Sequence, residues 1–274
     1  MAEQQTVESE SRDEETVHTT FEQSVAEGVE RLHRSWASLL STGAVGGIDL
    51  GFGVLALLIV REATGSRLLG ALAFSIGFIA LILARSELFT ENFLVPITAV
   101  VAHNARWMAV GRLWAGTAVT NLLGGWVMMG LVIWAVPRLH KAAVVIETGE
   151  HYPDLGIGAT TLASAILAGA TMTLMTWMER GTRSMLGKLT AGIVTAFLLA
   201  GTPMLHSIVT SLEMFAALHV GAPFGYLDWL GVFAWSVLGN LIGGVGLVTT
   251  LRLVQVGRRK VDEERARPSQ QAAA

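Results

Sequence analysis

Apolar stretches at about 39–61, 68–102, 112–136, 158–178, 187–218 and 226–254, divided by short polar connections, predict a bundle of membrane-crossing helices. One crossing needs roughly 20 apolar residues, so the second and fifth stretches are too long for a single uninterrupted helix. The second contains Arg85-Ser86-Glu87-Leu88-Phe89-Thr90-Glu91-Asn92 and the fifth contains Gly201-Thr202-Pro203-Met204-Leu205-His206. Each predicts a broken helix, because unpaired peptide groups survive at membrane depth only where they are buried in protein or line a water-filled cavity. The two breaks occupy corresponding places in two halves, and Asn121-Leu122-Leu123-Gly124-Gly125 returns as Asn240-Leu241-Ile242-Gly243-Gly244. The expected fold is therefore all-α and membrane-integral. Six transmembrane helices form two inverted three-helix repeats, about 38–137 and about 157–256, with helices 2 and 5 broken. That architecture points to a channel or transporter whose site lies near the pseudo-twofold axis.

Composition sharpens this picture. The chain is 52% hydrophobic and 15% charged over 274 residues, and the charges crowd toward its ends, which excludes an ordinary soluble domain. With the N-terminus inside, Arg31, Arg34, Arg106, Arg112, Arg180, Arg183, Lys188, Arg252, Arg258, Arg259 and Lys260 fall on the cytoplasmic side, against Arg61, Arg67, Arg138 and Lys141 outside. This asymmetry predicts that both termini are cytoplasmic, in an inner or plasma membrane. Met1 to Glu15 is acidic and polar, reads as disordered, and lacks the apolar core of an export signal. From Phe21 to Trp36 the apolar residues Phe21, Val25, Val29, Leu32 and Trp36 recur at helical spacing. The expectation for residues 1–37 is thus a cytoplasmic tail with an amphipathic helix lying along the membrane interface or against another subunit. Residues 38–256 form the transmembrane domain, and 257–274, basic and then Ala/Gln-rich, a cytoplasmic tail. With no cysteine, thiolate metal and redox chemistry is excluded.

His206 is the sharpest candidate for chemistry, since an ionisable side chain inside an apolar segment is costly and marks function. The alternative is a structural hydrogen bond to a neighbouring helix. Glu213 lies about two turns further on, able to share the same face or to contact a helix or water at the outer end. Asp49 in the glycine-rich first crossing divides evenly between pore lining and an interhelical hydrogen bond. In the first break, Arg85, Glu87 and Glu91 are expected to brace the loop by pairing with each other or with backbone groups. Thr90 offers a hydroxyl donor and acceptor to a passing solute, and Asn92 does likewise or caps the next half-helix. Phe74 and Phe78 share one helix face and, with Phe89, suit either packing or a hydrophobic constriction. Asn121, Gly124, Gly125, Asn240, Gly243 and Gly244 read as helix-packing positions. No metal-ligand cluster, nucleophile motif or second intramembrane histidine near His206 accompanies them, so no enzyme, metal or cofactor is expected.

At these residues the chain resembles the formate/nitrite transporter family. Glu87-Leu88-Phe89-Thr90 is similar to the family's first-break loop, and His206-Ser207-Ile208 to its central histidine motif. The resemblance, over roughly residues 35–255, implies an aquaporin-like protomer in a homopentamer, each subunit carrying a pore for small monovalent anions or their acids. It also implies that Phe74, Phe78, Phe89 and Leu199 stand at constriction positions, with Thr90 and His206 as the central polar pair. The chain departs from the family at Thr210, where an asparagine is usual four residues after the histidine. It departs again at Ile157 to Thr161, which lack the lysine usual at the start of the fourth helix. These departures suit a divergent branch with altered substrate-selecting surroundings. The expected partners are the lipid bilayer and a small anion, with no nucleic acid. A channel for small neutral solutes and a membrane scaffold without transport are the alternatives.

Overall fold

A computed structural model describes residues 2–202 and 204–266; Pro203 of the second interruption and the Ala/Gln-rich end fall outside the described residues. The described residues are helical throughout, in the order α1 Ala2–His33, α2 Trp36–Thr64, α3 Arg67–Ala84, a 3-10 segment Phe89–Phe93, and α4 Val95–Val101. Then follow α5 Trp107–Ala135, α6 Pro137–His140, α7 Ala143–Leu155, α8 Ala159–Arg180, α9 Met185–Gly201 and α10 Ser207–His219. The chain closes with α11 Tyr226–Leu241, a π-helical segment Ile242–Thr249, α12 Thr250–Val256 and α13 Arg258–Ala266.

Helices α2, α3, α5, α8 and the continuous run Tyr226–Val256 are long and apolar enough to cross a membrane. Many of their large apolar side chains, Leu69, Leu123, Leu167 and Leu251 among them, face outward, as a lipid-facing surface requires. Inside, α2 packs on α5 and on α3, α8 on α11, and α3 on α9. Close approach comes from small residues on the contact faces. A Cβ on Gly124 would strike the Ala44 carbonyl, one on Gly125 the Leu212 side chain, one on Gly243 the Ile166 carbonyl, and one on Gly244 Phe93 and Thr173.

The N-terminal segment differs from its expectation in two ways. Helix begins at Ala2, where disorder to Glu15 was expected, because Ala, Glu and Gln propagate a helix once a downstream segment anchors it. The buried stripe of that helix is Phe21, Ser24, Val25, Gly28, Arg31 and Leu32, and it lies against α4 of the same chain. A side chain at Gly28 would collide with the Val95 carbonyl, so this helix docks on protein along that face. Trp36, expected on the same stripe, opens α2 and is exposed. Beyond Val256, where a solvated tail was expected, α13 buries Val261 in a cluster with Phe21 and Val25, and Lys260 meets Glu22 at 2.5 Å.

Glu27 fastens α1 further, facing Arg31 at 2.6 Å and Arg180 at 2.5 Å. Burial alone would raise its carboxyl, but the two guanidiniums outweigh burial and hold it at about 2, below the ordinary 4.5. A carboxyl depressed in the folded state contributes its full stabilisation above its ordinary value and loses it as pH falls toward the folded one. A spin label on Ala26→Cys, the sole thiol in a cysteine-free chain, should therefore stay immobile at pH 4.5 and loosen only as pH falls toward about 2. Loosening already at neutral pH would show that Glu27 does not hold the helix.

Candidate functional site

Between α3 and α4 the chain leaves the helix at Arg85, whose φ of 54° ends α3 in a left-handed cap with its N–H on Leu81. Between α9 and α10 it leaves at Thr202 and re-enters at Ser207. Such turns at the centre of an apolar bundle need partners for every exposed peptide group. One asparagine supplies them on each side. Asn121 Nδ2 donates to the carbonyls of Gly43, 2.7 Å, and Glu87, 2.9 Å, while its Oδ1 accepts the Phe89 N–H at 2.8 Å. Asn240 Nδ2 donates to the carbonyls of Ala165, 2.8 Å, and Leu205, 2.9 Å, while its Oδ1 accepts the Ser207 N–H at 2.9 Å. The two networks match in pattern: each asparagine bonds the carbonyl before and the N–H after one central residue of its interruption, Leu88 in one and His206 in the other. Both are therefore braces of the interruptions as well as packing residues. Trp114 Nε1 and Thr249 Oγ1 complete the first turn by donating to the carbonyls of Asn92, 2.8 Å, and Phe93, 2.7 Å.

The two interruptions meet at Thr90 and His206, both with no exposed surface. Thr90 Oγ1 and His206 Nε2 lie 2.8 Å apart. His206 Nδ1 accepts the Val209 N–H at 3.1 Å and so caps α10. An accepting Nδ1 places the ring proton on Nε2, which makes the imidazole a neutral donor toward Thr90. The Thr90 hydroxyl proton then remains to be offered to a solute. Protonating Nδ1 would cost the cap bond, so any charge change at His206 is felt in the first turn of α10.

Apolar side chains of the same elements form one buried cluster. Phe74 and Phe78 on α3 are fully buried with centroids 5.7 Å apart, edge to face, and join Phe89, Leu199, Ile208 and Val209 in one core cluster. Phe89 packs edge to face on Phe93 at 5.0 Å, and Phe93 on Trp114 at 5.5 Å. Thr210 follows one turn after His206, and its N–H bonds the His206 carbonyl at 2.9 Å.

The charged candidates fall elsewhere. Asp49 accepts a 2.6 Å hydrogen bond from Ser86, tying α2 to the first turn. Glu87 pairs with Arg31 at 3.0 Å and with Arg34, both from the N-terminal segment, where the sequence had suggested pairing within the loop or with backbone groups. Arg85 is exposed, and Glu91 accepts the Leu88 N–H at 3.5 Å. Asn92 accepts from Arg31 at 3.0 Å and donates to the Leu88 carbonyl at 3.2 Å, staying within its own turn. A cavity of about 520 Å³ opens beside these groups, bordered by Arg31, Arg34, Glu87, Glu91, Arg180 and Lys188 among others. Midway along α10, Glu213 accepts a hydrogen bond from Tyr152 and borders a cavity of about 30 Å³ with Arg61 and His151. Sequence reading missed Arg31, Arg61 and Tyr152 as partners. For Arg31 the signal was present, because it falls on the same helical stripe as Phe21, Val25 and Leu32.

Apolar helices of crossing length around a buried polar pair at two meeting interruptions define a membrane-embedded protein of channel and transporter architecture. The chain belongs to the formate/nitrite transporter family, whose profile matches residues 18–254. Among its relatives are an inner membrane protein, YfdC, of Escherichia coli K12, 27% identical over 90% of this chain and 81% of that one. Another is the formate channel BtFdhC of Bacillus thuringiensis, 26% identical over 81% of this chain and 88% of that one. Among solved structures, an FNT family ion channel superposes with a TM-score of 0.79 at 19% identity, covering 86% of this chain and 98% of that one. A pentameric formate channel with formate bound gives 0.65 at 18% identity, over 80% and 96%.

Proposed function

We propose that this protein is a channel or transporter for small monovalent anions of weak acids, formate and nitrite being the type, and that it is no enzyme. The observation that carries the reading is the Thr90–His206 contact of 2.8 Å, a fully buried polar pair contributed by both interruptions, with Phe74, Phe78, Phe89 and Leu199 buried in one apolar cluster of the same bundle. A bare anion entering such surroundings loses several kcal/mol or more of hydration. A shared proton removes most of that cost. Neutral His206 Nε2–H and the Thr90 hydroxyl are placed to donate hydrogen bonds to an anion; only as the imidazolium, protonated at Nδ1 with loss of the α10 cap bond, does His206 have a proton to hand over so that the solute passes as the neutral acid. Relatives bearing the name formate channel support the substrate class.

In this reading α3 with α4, and α9 with α10, are the second and fifth of six crossings, each broken at its centre, and the two halves run in opposite senses across the membrane. The matched asparagine networks support that symmetry. Both termini face the cytoplasm of an inner or plasma membrane, and five copies assemble with one pore each, as the name of a structural neighbour suggests. The carboxyls of Asp49 and Glu213 favour one second reading, a channel for small neutral solutes, which osmotic swelling of vesicles would reveal.

The test is uptake of labelled formate, nitrite and acetate by proteoliposomes across pH. His206→Asn keeps an acceptor for the α10 cap but holds no titratable proton. Flux through it should persist while the pH dependence flattens. A wild-type pH profile in that variant would remove His206 from the proton path.

A further inference from the structure

Glu213 is a buried carboxyl that a pathway for anions ought not to tolerate. It sits on α10 with its side chain turned to the small outer cavity, 3% exposed, and its Oε2 accepts the Tyr152 hydroxyl. Ala200, next in sequence to Leu199 at the proposed constriction, borders the same cavity. Facing it across the cavity is Arg61 from the last turn of α2, whose Nη1 donates to Thr148 at 2.6 Å. The Arg61 stem lies where a side chain at residue 70 would otherwise be, so Gly70 leaves it room. The remaining titratable groups of the cavity are Arg67 at the start of α3 and Glu147 and His151 on α7. The other helices packed on α10, α5 and α11, put no titratable side chain into it.

Each of these neighbours has a definite part. Burial, then the adjacent Glu213, push the Tyr152 phenol well above its ordinary value, so it remains a hydrogen-bond donor at any working pH. Burial and then Arg67 hold the His151 imidazole below its ordinary value, so it adds no competing charge at neutral and alkaline pH. Arg61 keeps N–H groups beyond the one spent on Thr148, in the planar fork that suits a carboxylate or a similar oxyanion.

We propose that the cavity is a loading site in which Arg61 holds a small weak-acid anion and Glu213 gives it a proton before it enters the apolar constriction. Tyr152 occupies Oε2, so the proton of the neutral carboxyl resides on Oε1. That O–H bond breaks as a new one forms to an oxygen of the anion, and the substrate leaves inward as the neutral acid. Glu213 remains as a carboxylate, steadied by the Tyr152 hydroxyl and the Arg61 charge, and regains a proton from water on the outer side. One anion and one proton thus enter together. The site stands in for the missing lysine at the start of the fourth helix by a different chemistry, protonation at a carboxyl in place of attraction by an ammonium.

The inference rests on the proposed anion pathway, and one experiment separates the two. Proteoliposomes with wild type, Glu213→Gln and Tyr152→Phe are assayed for labelled formate uptake from acid to alkaline outer pH. Glu213→Gln keeps an acceptor for Tyr152 but has no acidic proton. It should lose on the order of tenfold or more of the uptake at neutral and alkaline pH and recover toward wild type in acid, where formic acid is already present in solution. Tyr152→Phe should shift the same profile with a smaller loss. Equal loss at every pH would make Glu213 structural, and an unchanged profile would remove it from the path; either overturns the loading site while leaving the pathway intact. No uptake by wild type would overturn both.

Discussion

Asn240→Leu should cost the protein on the order of 3 kcal/mol or more, and with it the Thr90–His206 contact. The replacement is close in volume but leaves the Ser207 N–H and the carbonyls of Ala165 and Leu205 without their side-chain partner inside an apolar bundle. Each buried group so orphaned costs roughly 1–3 kcal/mol, and no water stands ready at membrane depth. Two of the three flank His206 directly, so the ring that caps α10 and meets Thr90 loses its fixed position as well. Asn240→Asp should be as damaging once ionised, because a carboxylate then faces two carbonyls where the amide donated to both. Protonation restores one donor, so the Asp variant alone should regain stability as pH falls. Asn121→Leu tests the same bracing in the first half. Thermal unfolding in detergent at several pH values reads all three. Equal midpoints for wild type and Asn240→Leu would mean that the interruption holds its shape without this residue.

This pairing also marks how much of the fold was legible beforehand. The repeated Asn-x-x-Gly-Gly pattern pointed to corresponding positions, since glycines suit close crossings and a buried amide needs company. It could not say that the amide spans a helix interruption, because its partners are backbone groups and carry no residue signature. The segments at 68–102 and 187–218 declared their interruptions through length and through polar residues. The meeting of Thr90 with His206 followed only from family resemblance, and their contact depends on two loops separated by more than a hundred residues. Helix α7 was not anticipated, being short and only moderately apolar, although it carries Tyr152 to Glu213. The partners of Glu87 were misjudged for a related reason. Nearest neighbours in sequence seemed the natural counter-charges, whereas the docking of α1, permitted by Gly28, brings Arg31 and Arg34 from over fifty residues away.

Arg31→Met should be the second severe substitution. Arg31 is 5% exposed and binds three groups at once. Its Nη1 serves Glu87 and Asn92, both at 3.0 Å, and its Nε and Nη2 serve Glu27 at 3.0 and 2.6 Å. Burial would strip a proton from a lone guanidinium, but Glu87 and Glu27 outweigh it and raise Arg31 above its ordinary value, so it remains charged. Methionine fills similar space and removes the charge, which leaves Glu87, 3% exposed, to Arg34 alone. Breaking one side of a buried pair costs about 3–5 kcal/mol, far more than the pair itself contributes over an apolar replacement. Arg31→Lys should rescue little, because one ammonium cannot reproduce a planar fork that spans three partners. Glu87→Gln in the Arg31→Met background removes a buried charge that has lost one of its two guanidiniums and should recover part of the loss, so the double-mutant cycle should give a coupling above about 1 kcal/mol. Thermal stability in detergent, followed with the spin label on α1, reads both the cost and its place. The label should loosen in Arg31→Met and tighten again in the double variant. Additive costs, with α1 equally immobile throughout, would show that the helix is held by its apolar stripe and that the buried charges balance locally without joining α1 to the first interruption.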